Sequence, residues 1–288
     1  MSDDGRGDGS ETGFLGTARP DDPARPDDPR RLVSAWRLFT SVFRKEVTTT
    51  LRYATNFLLG QVGFLFVLVG IVAGGRRIAG PSFGEQLGGV VVGYFVFFVA
   101  QTAFGAASSI VTQEAQWGTL ERLYLSPLGF GSVLGATVAA EFLWSSFQIL
   151  AHLVLALLIT GETLVIDPFT VVPLVVLAAA PFLGVGFAVG GVALLVKRLE
   201  SATTLFTFAL VALIAAPVGE FPWLRALPVV QANVMLGRAM REGVGLSAFS
   251  LTDHAVALAA AGGYLAAGYA VFRVCLGRAR RRGVLGDY

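Results

Sequence analysis

The sequence contains an apolar run at residues 169–196, FTVVPLVVLAAAPFLGVGFAVGGVALLV, in which no side chain carries a charge. A helix needs about 20 apolar residues to cross a hydrocarbon core of about 30 Å, so this run is long enough for one membrane span. Its apolar residues are continuous and do not alternate with polar ones, which predicts a helix and not a strand of a barrel. The run therefore indicates a helical membrane protein.

The composition of the whole chain agrees with a membrane location. Of its 288 residues, 54% are hydrophobic and 15% are charged, whereas a soluble domain has roughly 25% charged residues. One Cys and two His exclude a disulfide framework and leave too few ligands for a Cys/His zinc cluster, so we expect no metal site. We also expect membrane lipid, and no nucleic acid, around this chain.

Six apolar stretches predict six transmembrane helices, of which the first and fifth are short. The predicted fold is therefore an all-α membrane protein with spans at 56–73, 87–111, 133–159, 169–196, 202–218 and 255–276. These spans belong to a membrane domain at 31–288.

Residues 1–30 differ from this domain because they are rich in Gly, Pro and Asp and repeat the sequence RPDDP. Such a composition predicts a disordered acidic cytoplasmic tail. The tail is either a regulatory or docking segment or a solvated leader without a specific role. It lacks the charge and apolar pattern of a signal peptide.

Between the tail and the first span, apolar residues recur every three or four positions from Arg31 to Tyr53, with Arg and Lys around them. This pattern predicts a basic amphipathic helix that lies in the membrane interface. The alternative is a soluble helix packed on a partner.

The distribution of basic residues predicts the orientation of the chain. With six spans, the termini share one side with the second-to-third and fourth-to-fifth loops. That side holds fourteen Lys and Arg residues without the distal tail, and the other side holds five. The positive-inside rule therefore places both termini in the cytoplasm.

The second-to-third loop has a patterned sequence, TQEAQWGTLERLYLSP, at 112–127. On a helix, Glu114, Trp117, Glu121 and Leu125 lie near one stripe, and Pro127 ends the helix. A mixed acidic and apolar stripe favours insertion into a groove of a partner. The alternative is a solvated loop with a salt-bridged Glu.

The run Glu-x-x-x-Gly-Thr-Leu-Glu-x-Leu-x-x-Ser-Pro from Glu114 to Pro127 resembles the signature loop of the type 2 ATP-binding cassette (ABC-2) exporter permeases. The resemblance implies an ABC-2, type V exporter-like fold with an N-terminal interfacial helix. It also implies a coupling helix that docks on a separate ATPase subunit with bound MgATP, and a second permease subunit in a homodimer or heterodimer. The coupling residues would be Glu114, Trp117, Gly118, Thr119, Glu121, Arg122, Leu125 and Pro127.

The lysines support a separate ATPase. A Walker A loop needs Gly-x-x-x-x-Gly-Lys-Ser/Thr, but Lys45 precedes Glu46 and Lys197 precedes Arg198. We therefore expect no enzyme activity and no cofactor in this chain itself.

The connection between the fifth and sixth spans contains Pro222, Trp223 and Pro228. The two prolines predict a broken, partly re-entrant element, and Val229 to Arg241 predicts a short amphipathic helix. The resemblance implies an external gate here, and the alternative is an ordinary surface loop.

Polar residues within the spans are candidates for the transport pathway because they are costly in lipid. Glu141, Gln148 and His152 share one face of the third span, and Gln101 lies in the second span. They either line the pathway or relay protons. Alternatively, Glu141 lies near the cytoplasmic entrance beside a basic residue and His152 is an interior group with satisfied hydrogen bonds.

The sequence thus predicts the permease subunit of an ABC exporter in the plasma membrane of a prokaryote. The alternative is an ion-gradient-driven secondary transporter that uses Glu141 and His152 without an ATPase. The composition does not define the transported substrate.

Overall fold

The computed structural model describes residues 29–80, 82–116, 130–196 and 200–281, and these residues form eight α-helices and no strand. Short 3-10 helices lie at Pro222–Ala226 and Leu246–Ala248. The α-helices are α1 (Pro29–Arg52), α2 (Ala54–Ala79), α3 (Ser82–Gln116), α4 (Phe130–Thr160), α5 (Pro168–Ala193), α6 (Glu200–Ile214), α7 (Val230–Glu242) and α8 (Leu251–Arg281).

Five of the described helices are long and apolar enough to cross a membrane, which confirms the helical membrane fold. The segments that qualify are Gln61–Ala79, Gln86–Ser109, Val133–Thr160, Pro168–Ala193 and Leu251–Ala279. The helix α6 has 15 residues, or about 22 Å of length, because each residue adds 1.5 Å. It ends at Ile214, before the end expected from the sequence, so the fifth predicted span at 202–218, and with it the count of six spans, stays a prediction.

The centre of the bundle consists of α3, α5 and α8, which approach one another through glycine. A Cβ built on Gly184 of α5 would collide with the backbone of Tyr264 on α8, and one on Gly268 would collide with the backbone of Gly184. A Cβ on Gly186 would meet the Phe104 carbonyl of α3. Small residues allow such backbone contacts between helices in lipid, so these three helices form a tight unit.

By contrast, α2 and α6 lie at the rim of the bundle, on either side of α3. Most of α2 is exposed. On α6, Leu205 is 70% and Phe208 72% exposed. The contact of α6 with the centre runs through Phe206, whose ring stacks on Phe104 with centroids 3.8 Å apart.

The helix α1 packs one face on α4 and leaves the other exposed. Phe43 meets the Trp144 ring edge-on at 5.9 Å, and Trp144 Nε1 donates a 3.0 Å hydrogen bond to Thr50 Oγ1. This one-sided burial is what the amphipathic pattern predicts. The position of α1 in a membrane interface stays a prediction, as does the acidic tail, whose residues 1–28 lie outside the described part.

Below, the end of the bundle that carries α7 is called the α7 end, and the opposite end, which carries α1, is called the α1 end.

Candidate functional site

A groove of about 710 Å³ runs between α2 and α6, with α3 as its floor. This volume lies within the range of small-molecule sites, which are mostly apolar with a few polar groups. The groove fits that description, because its polar residues are Gln86, Tyr94 and Thr207. The apolar lining is Phe64, Val67, Ile71, Gly89, Val90, Gly93, Phe97, Val211, Ile214 and Ala215.

An aromatic cluster around Phe98 separates this groove from His152. Phe64 and Tyr94, which line the groove, each contact the Phe98 ring with centroids 4.9 Å apart. On the other side, His152 stacks on Phe98 at 4.4 Å and is 4% exposed. Its Nδ1 lies 2.9 Å from the carbonyl oxygen of Gln148, and its Nε2 has no hydrogen-bond partner among the described residues. His152 therefore lies behind the wall of the groove.

The other polar residues expected in the pathway point to different neighbours. Gln101 donates a 3.4 Å hydrogen bond to Thr207 Oγ1 and so connects α3 to α6. Glu141 faces the charges of Glu46 and Lys45 on α1, where Lys45 forms an ion pair with Glu46 at 3.3 Å. In the described residues no hydrogen bond joins Gln101, Glu141 and His152 into one set, and their roles in transport stay predictions.

At the α7 end, the carboxylate of Asp253 connects three elements. Its Oδ1 accepts a 2.8 Å hydrogen bond from Gln231 Nε2 of α7 and lies 3.7 Å from an Arg225 nitrogen of the 3-10 helix. Its Oδ2 accepts from the Ser250 amide at 3.3 Å and from Ser250 Oγ at 2.7 Å, and Ser250 Oγ accepts from the Asp253 amide at 3.1 Å. The two amide bonds form a capping box at the start of α8. One carboxylate thus attaches the 3-10 helix and α7 to α8.

The residues expected to form a gate lie beside this attachment. Pro222 begins the 3-10 helix, Trp223 is exposed, and Pro228 precedes Val229. Val229 has a φ of 65° although it is β-branched, and its side chain is buried. A non-glycine residue in this region costs about 1–3 kcal/mol and persists only where its surroundings hold it. The start of α7 is therefore fixed by packing, while the gating role of these residues stays a prediction.

The α7 end also touches the groove. Asn233 Nδ2 of α7 donates a 3.1 Å hydrogen bond to the carbonyl of Ile214, which is the last residue of α6 and lines the groove. A smaller cavity of about 280 Å³ contains Arg238 and Arg241 of α7 and shares Gly89 with the groove. A displacement of α7 would therefore move Ile214 and change the shape of the groove at the α7 end.

Most of the coupling residues expected from the sequence cannot be placed. Glu114 lies in the last turn of α3, which ends at Gln116. Seven of these residues lie outside the described part: Trp117, Gly118, Thr119, Glu121, Arg122, Leu125 and Pro127. The coupling helix therefore stays a prediction.

Sequence reasoning missed the residues that organise the α7 end, namely Gln231, Asn233 and Asp253. One local signal was available, because Ser250-x-x-Asp253 is a capping-box pattern. The partners of Gln231 and Asn233 lie 22 and 19 residues away, so no local spacing could reveal them.

Comparison with known proteins identifies the class of this helical bundle. The sequence profile of the family described as ABC-2 type transporter matches residues 32–243, which is more than half of the chain. The match defines the chain as a membrane permease component of a transporter. The protein belongs to the ABC-2 type transporter family, which confirms the resemblance of the loop at 114–127. No curated protein and no solved structure matches the sequence.

Proposed function

We propose that this chain is the permease subunit of an exporter in a prokaryotic plasma membrane, with both termini in the cytoplasm. In this proposal the groove between α2 and α6 lines the substrate pathway and faces a second permease subunit, identical or related. A separate ATPase subunit hydrolyses MgATP and drives the transport cycle.

The observation that carries the proposal is the polar content of the groove. Exposed apolar residues such as Leu205 and Phe208 can be covered by lipid alone. The hydroxyl of Tyr94, by contrast, is buried without a hydrogen-bond partner among the described residues, and Gln86 also lines the groove. Uncompensated polar groups are costly in lipid and usually face a pathway or another helix. The groove therefore suits a substrate or a second subunit better than it suits acyl chains.

The length of α3 supports coupling at the α1 end. Its apolar run ends at Val111, but the helix continues to Gln116 through the polar sequence TQEAQ. These five residues extend α3 by about 8 Å beyond the apolar run. The end of α3 thus lies beyond the apolar run, where a soluble partner can reach it.

The contacts of α3 supply a route from this end to the groove. In the proposed cycle, closure of the ATPase subunits displaces the end of α3. Because Phe104 stacks on Phe206 and Gln101 bonds to Thr207, α6 follows and the width of the groove changes. The bond from Asn233 to Ile214 then transmits the change to α7.

Purification of the full-length chain from native membranes, followed by native mass spectrometry, tests the proposed partner. We expect an ATPase with a Walker motif at one copy per permease subunit. A reproducible oligomer without an ATPase, together with transport that follows an ion gradient when ATP is depleted, would replace the proposal by the secondary transporter.

A variant of the coupling loop tests the route of coupling. Glu121→Ala should uncouple ATP hydrolysis from transport while the protein remains folded. The matched control is Glu220→Ala, which removes an exposed carboxylate beyond α6. Normal coupled transport in Glu121→Ala would exclude Glu121 from this role.

Cysteine cross-linking tests whether the groove side faces a second subunit. The natural cysteine, Cys275, is buried, so an added thiol reacts without background. We expect Phe208→Cys on α6 to form a disulfide between two permease subunits. Leu258→Cys on α8 is the control, since Leu258 is also an exposed apolar residue. Cross-linking of the control alone would place the second subunit on α8.

A further inference from the structure

The exposed face of α1 carries a row of cations. Arg37, Arg44 and Arg52 are spaced by seven and eight residues, which places them on one side of the helix over about 22 Å. Lys45 lies beside Arg44, and all four side chains are exposed. We call these four residues the cationic face of α1.

Ion pairs within the described residues leave most of this charge uncompensated. Lys45 pairs with Glu46 at 3.3 Å, whereas Arg37, Arg44 and Arg52 form no ion pair there. The carboxylates of Glu46 and Glu141 belong to the inner side, where α1 meets α4. Within the described part of the chain, three guanidinium groups therefore remain available to an anion.

A shallow, open cavity of about 350 Å³ on the surface of this face is lined by Arg44, Lys45 and Arg52 together with the hydroxyl residues Ser41, Thr48, Thr49 and Tyr53. Two of these hydroxyls already donate within the helix, Ser41 to the Leu38 carbonyl at 2.7 Å and Thr48 to the Arg44 carbonyl at 2.8 Å. These two hydroxyls are therefore not free to donate to a bound anion, and their small side chains leave space between the cations. The donors for a bound anion are therefore the cations, which suit phosphate.

Exposed apolar residues border the cations on one side. Leu51 and Trp36 are 70% and 65% exposed, and on the helical wheel they adjoin the edge formed by Arg37 and Arg44. Neither water nor an acidic protein segment would bind these apolar side chains favourably. A bilayer accommodates both groups, since apolar side chains enter the acyl boundary and cations lie at the level of the phosphates.

The position of α1 in the chain agrees with this arrangement. Arg52 is separated from α2 by Tyr53, and the predicted first span begins four residues after Arg52, at Asn56. Four helical residues correspond to about 6 Å, a distance that the headgroup region and a long arginine side chain together cover. On the inner face, Trp144 bonds to Thr50 and fixes the rotation of α1.

From the row of cations, the cavity and the apolar border, we propose that the cationic face of α1 binds the phosphate headgroups of acidic phospholipids. The binding is specific for charge and sets the depth of α1 at the surface. It requires only that the chain is embedded in a membrane, and so it is independent of the exporter proposal.

Lipid retention measures this binding in the full-length chain. The protein is purified in a neutral detergent and incubated with equal amounts of phosphatidylglycerol and phosphatidylcholine, and native mass spectrometry counts the retained lipids. We expect a preference for phosphatidylglycerol. Each cation near an anionic surface contributes roughly a fivefold change in binding. The triple variant Arg44→Gln/Lys45→Gln/Arg52→Gln should therefore reduce the preference by about 100-fold.

Two controls separate binding by this face from a general effect of charge. Arg44→Lys/Arg52→Lys keeps the charge and should keep most of the preference. Arg76→Gln/Arg77→Gln/Arg238→Gln removes three exposed cations at the α7 end and should leave the preference unchanged. Equal elution volumes and helical circular dichroism show that the variants are folded.

Three results would overturn the proposal. The triple variant could keep the preference for phosphatidylglycerol. Alternatively, the α7-end control could lose as much of this preference as the triple variant. Inorganic phosphate at the concentration of the lipid could abolish lipid retention, which would assign the face to a free anion. Finally, a preference that appears only in Asp21→Asn/Asp22→Asn/Asp27→Asn/Asp28→Asn would make the acidic tail the occupant of this face.

Discussion

The crossing of α5 over α8 and the rim formed by α2 and α6 show two ways to hold a helix in a membrane. At the crossing, Gly184 and Gly268 bring the two backbones into contact, and no side chain lies between them. At the rim, long side chains point outward and few residues reach the centre. The tight packing is therefore concentrated in the half that contains α5 and α8. The half that contains α2 and α6 has free surface for a substrate, a subunit or lipid.

This division also separates the sites that can move from those that cannot. A backbone contact has no side chain that can change rotamer, so the crossing behaves as a unit. The ring of Phe206 and the amide of Gln101, by contrast, can change partners when α6 moves. Four substitutions test this contrast, and their expected effects decrease from the crossing to α2.

The largest effect is expected at the crossing itself. In Gly268→Ala the new Cβ would overlap the backbone of Gly184, so α5 and α8 must separate. Overpacking of this kind costs about 3 kcal/mol, which a denaturation curve in detergent would measure. Gly262→Ala lies on the same helix with no atom within 4 Å of its Cβ and should change stability by less than about 1 kcal/mol. Equal losses in the two variants would disprove the special role of the crossing.

The next effect is expected at the α7 end, which is attached to the tight half through Asp253. Asp253→Ala leaves the buried Gln231 without its hydrogen-bond acceptor, at a cost of about 2 kcal/mol. Amide hydrogen exchange should increase in residues 222–242 and stay unchanged in α3. Glu220→Ala, an exposed carboxylate at the same end, should cause no such increase. Unchanged exchange in Asp253→Ala would show that packing alone holds α7.

A smaller effect is expected at His152, on the border between the halves. His152→Leu removes a ring that stacks on Phe98, worth about 1 kcal/mol, but also removes a buried nitrogen without a partner. The two contributions nearly cancel, so the unfolding midpoint and the transport rate should both stay close to those of the wild type. His254→Leu replaces the second histidine, which is half-buried at the α7 end, as a control. Loss of transport at normal stability in His152→Leu alone would instead indicate a proton relay.

The smallest effect is expected on α2. Gly70→Ala places its Cβ where no atom lies within 4 Å, so the variant should lose no stability, and the helix propensity of Ala limits any gain to about 1 kcal/mol. Because Gly268→Ala is the same substitution, the pair compares the two halves directly. A loss at Gly70 as large as that at Gly268 would mean that α2 is packed against a further helix in the membrane.

The fold could be predicted largely from the sequence because apolar length is a local property. The long runs on α3, α4, α5 and α8 exceed the thickness of the hydrocarbon core, and the structure has helices there. The count of spans was less secure where the apolar run was short, as at 202–218. In that segment α6 ends at Ile214, and Pro217 follows it.

The site was harder to predict because its geometry depends on helices that are distant in sequence. The helical period predicts that Glu141 and His152 share one face of α4. It does not specify that Glu141 lies beside α1 whereas His152 stacks on Phe98 of α3. Likewise, Gln101 is 106 residues from its partner Thr207. The family could be recognised from 114–127 because a signature loop is local, whereas a groove between helices is not.

The short length of α6 has a consequence for the surrounding bilayer. As the predicted fifth span, α6 with its described length of about 22 Å would be shorter than a hydrocarbon core of about 30 Å. Such hydrophobic mismatch is relieved when the bilayer thins locally or when another helix covers the short one. Since α6 forms one wall of the groove, thinning would bring the two leaflets closest together beside the proposed pathway. The membrane itself would then be deformed where the protein has its open face.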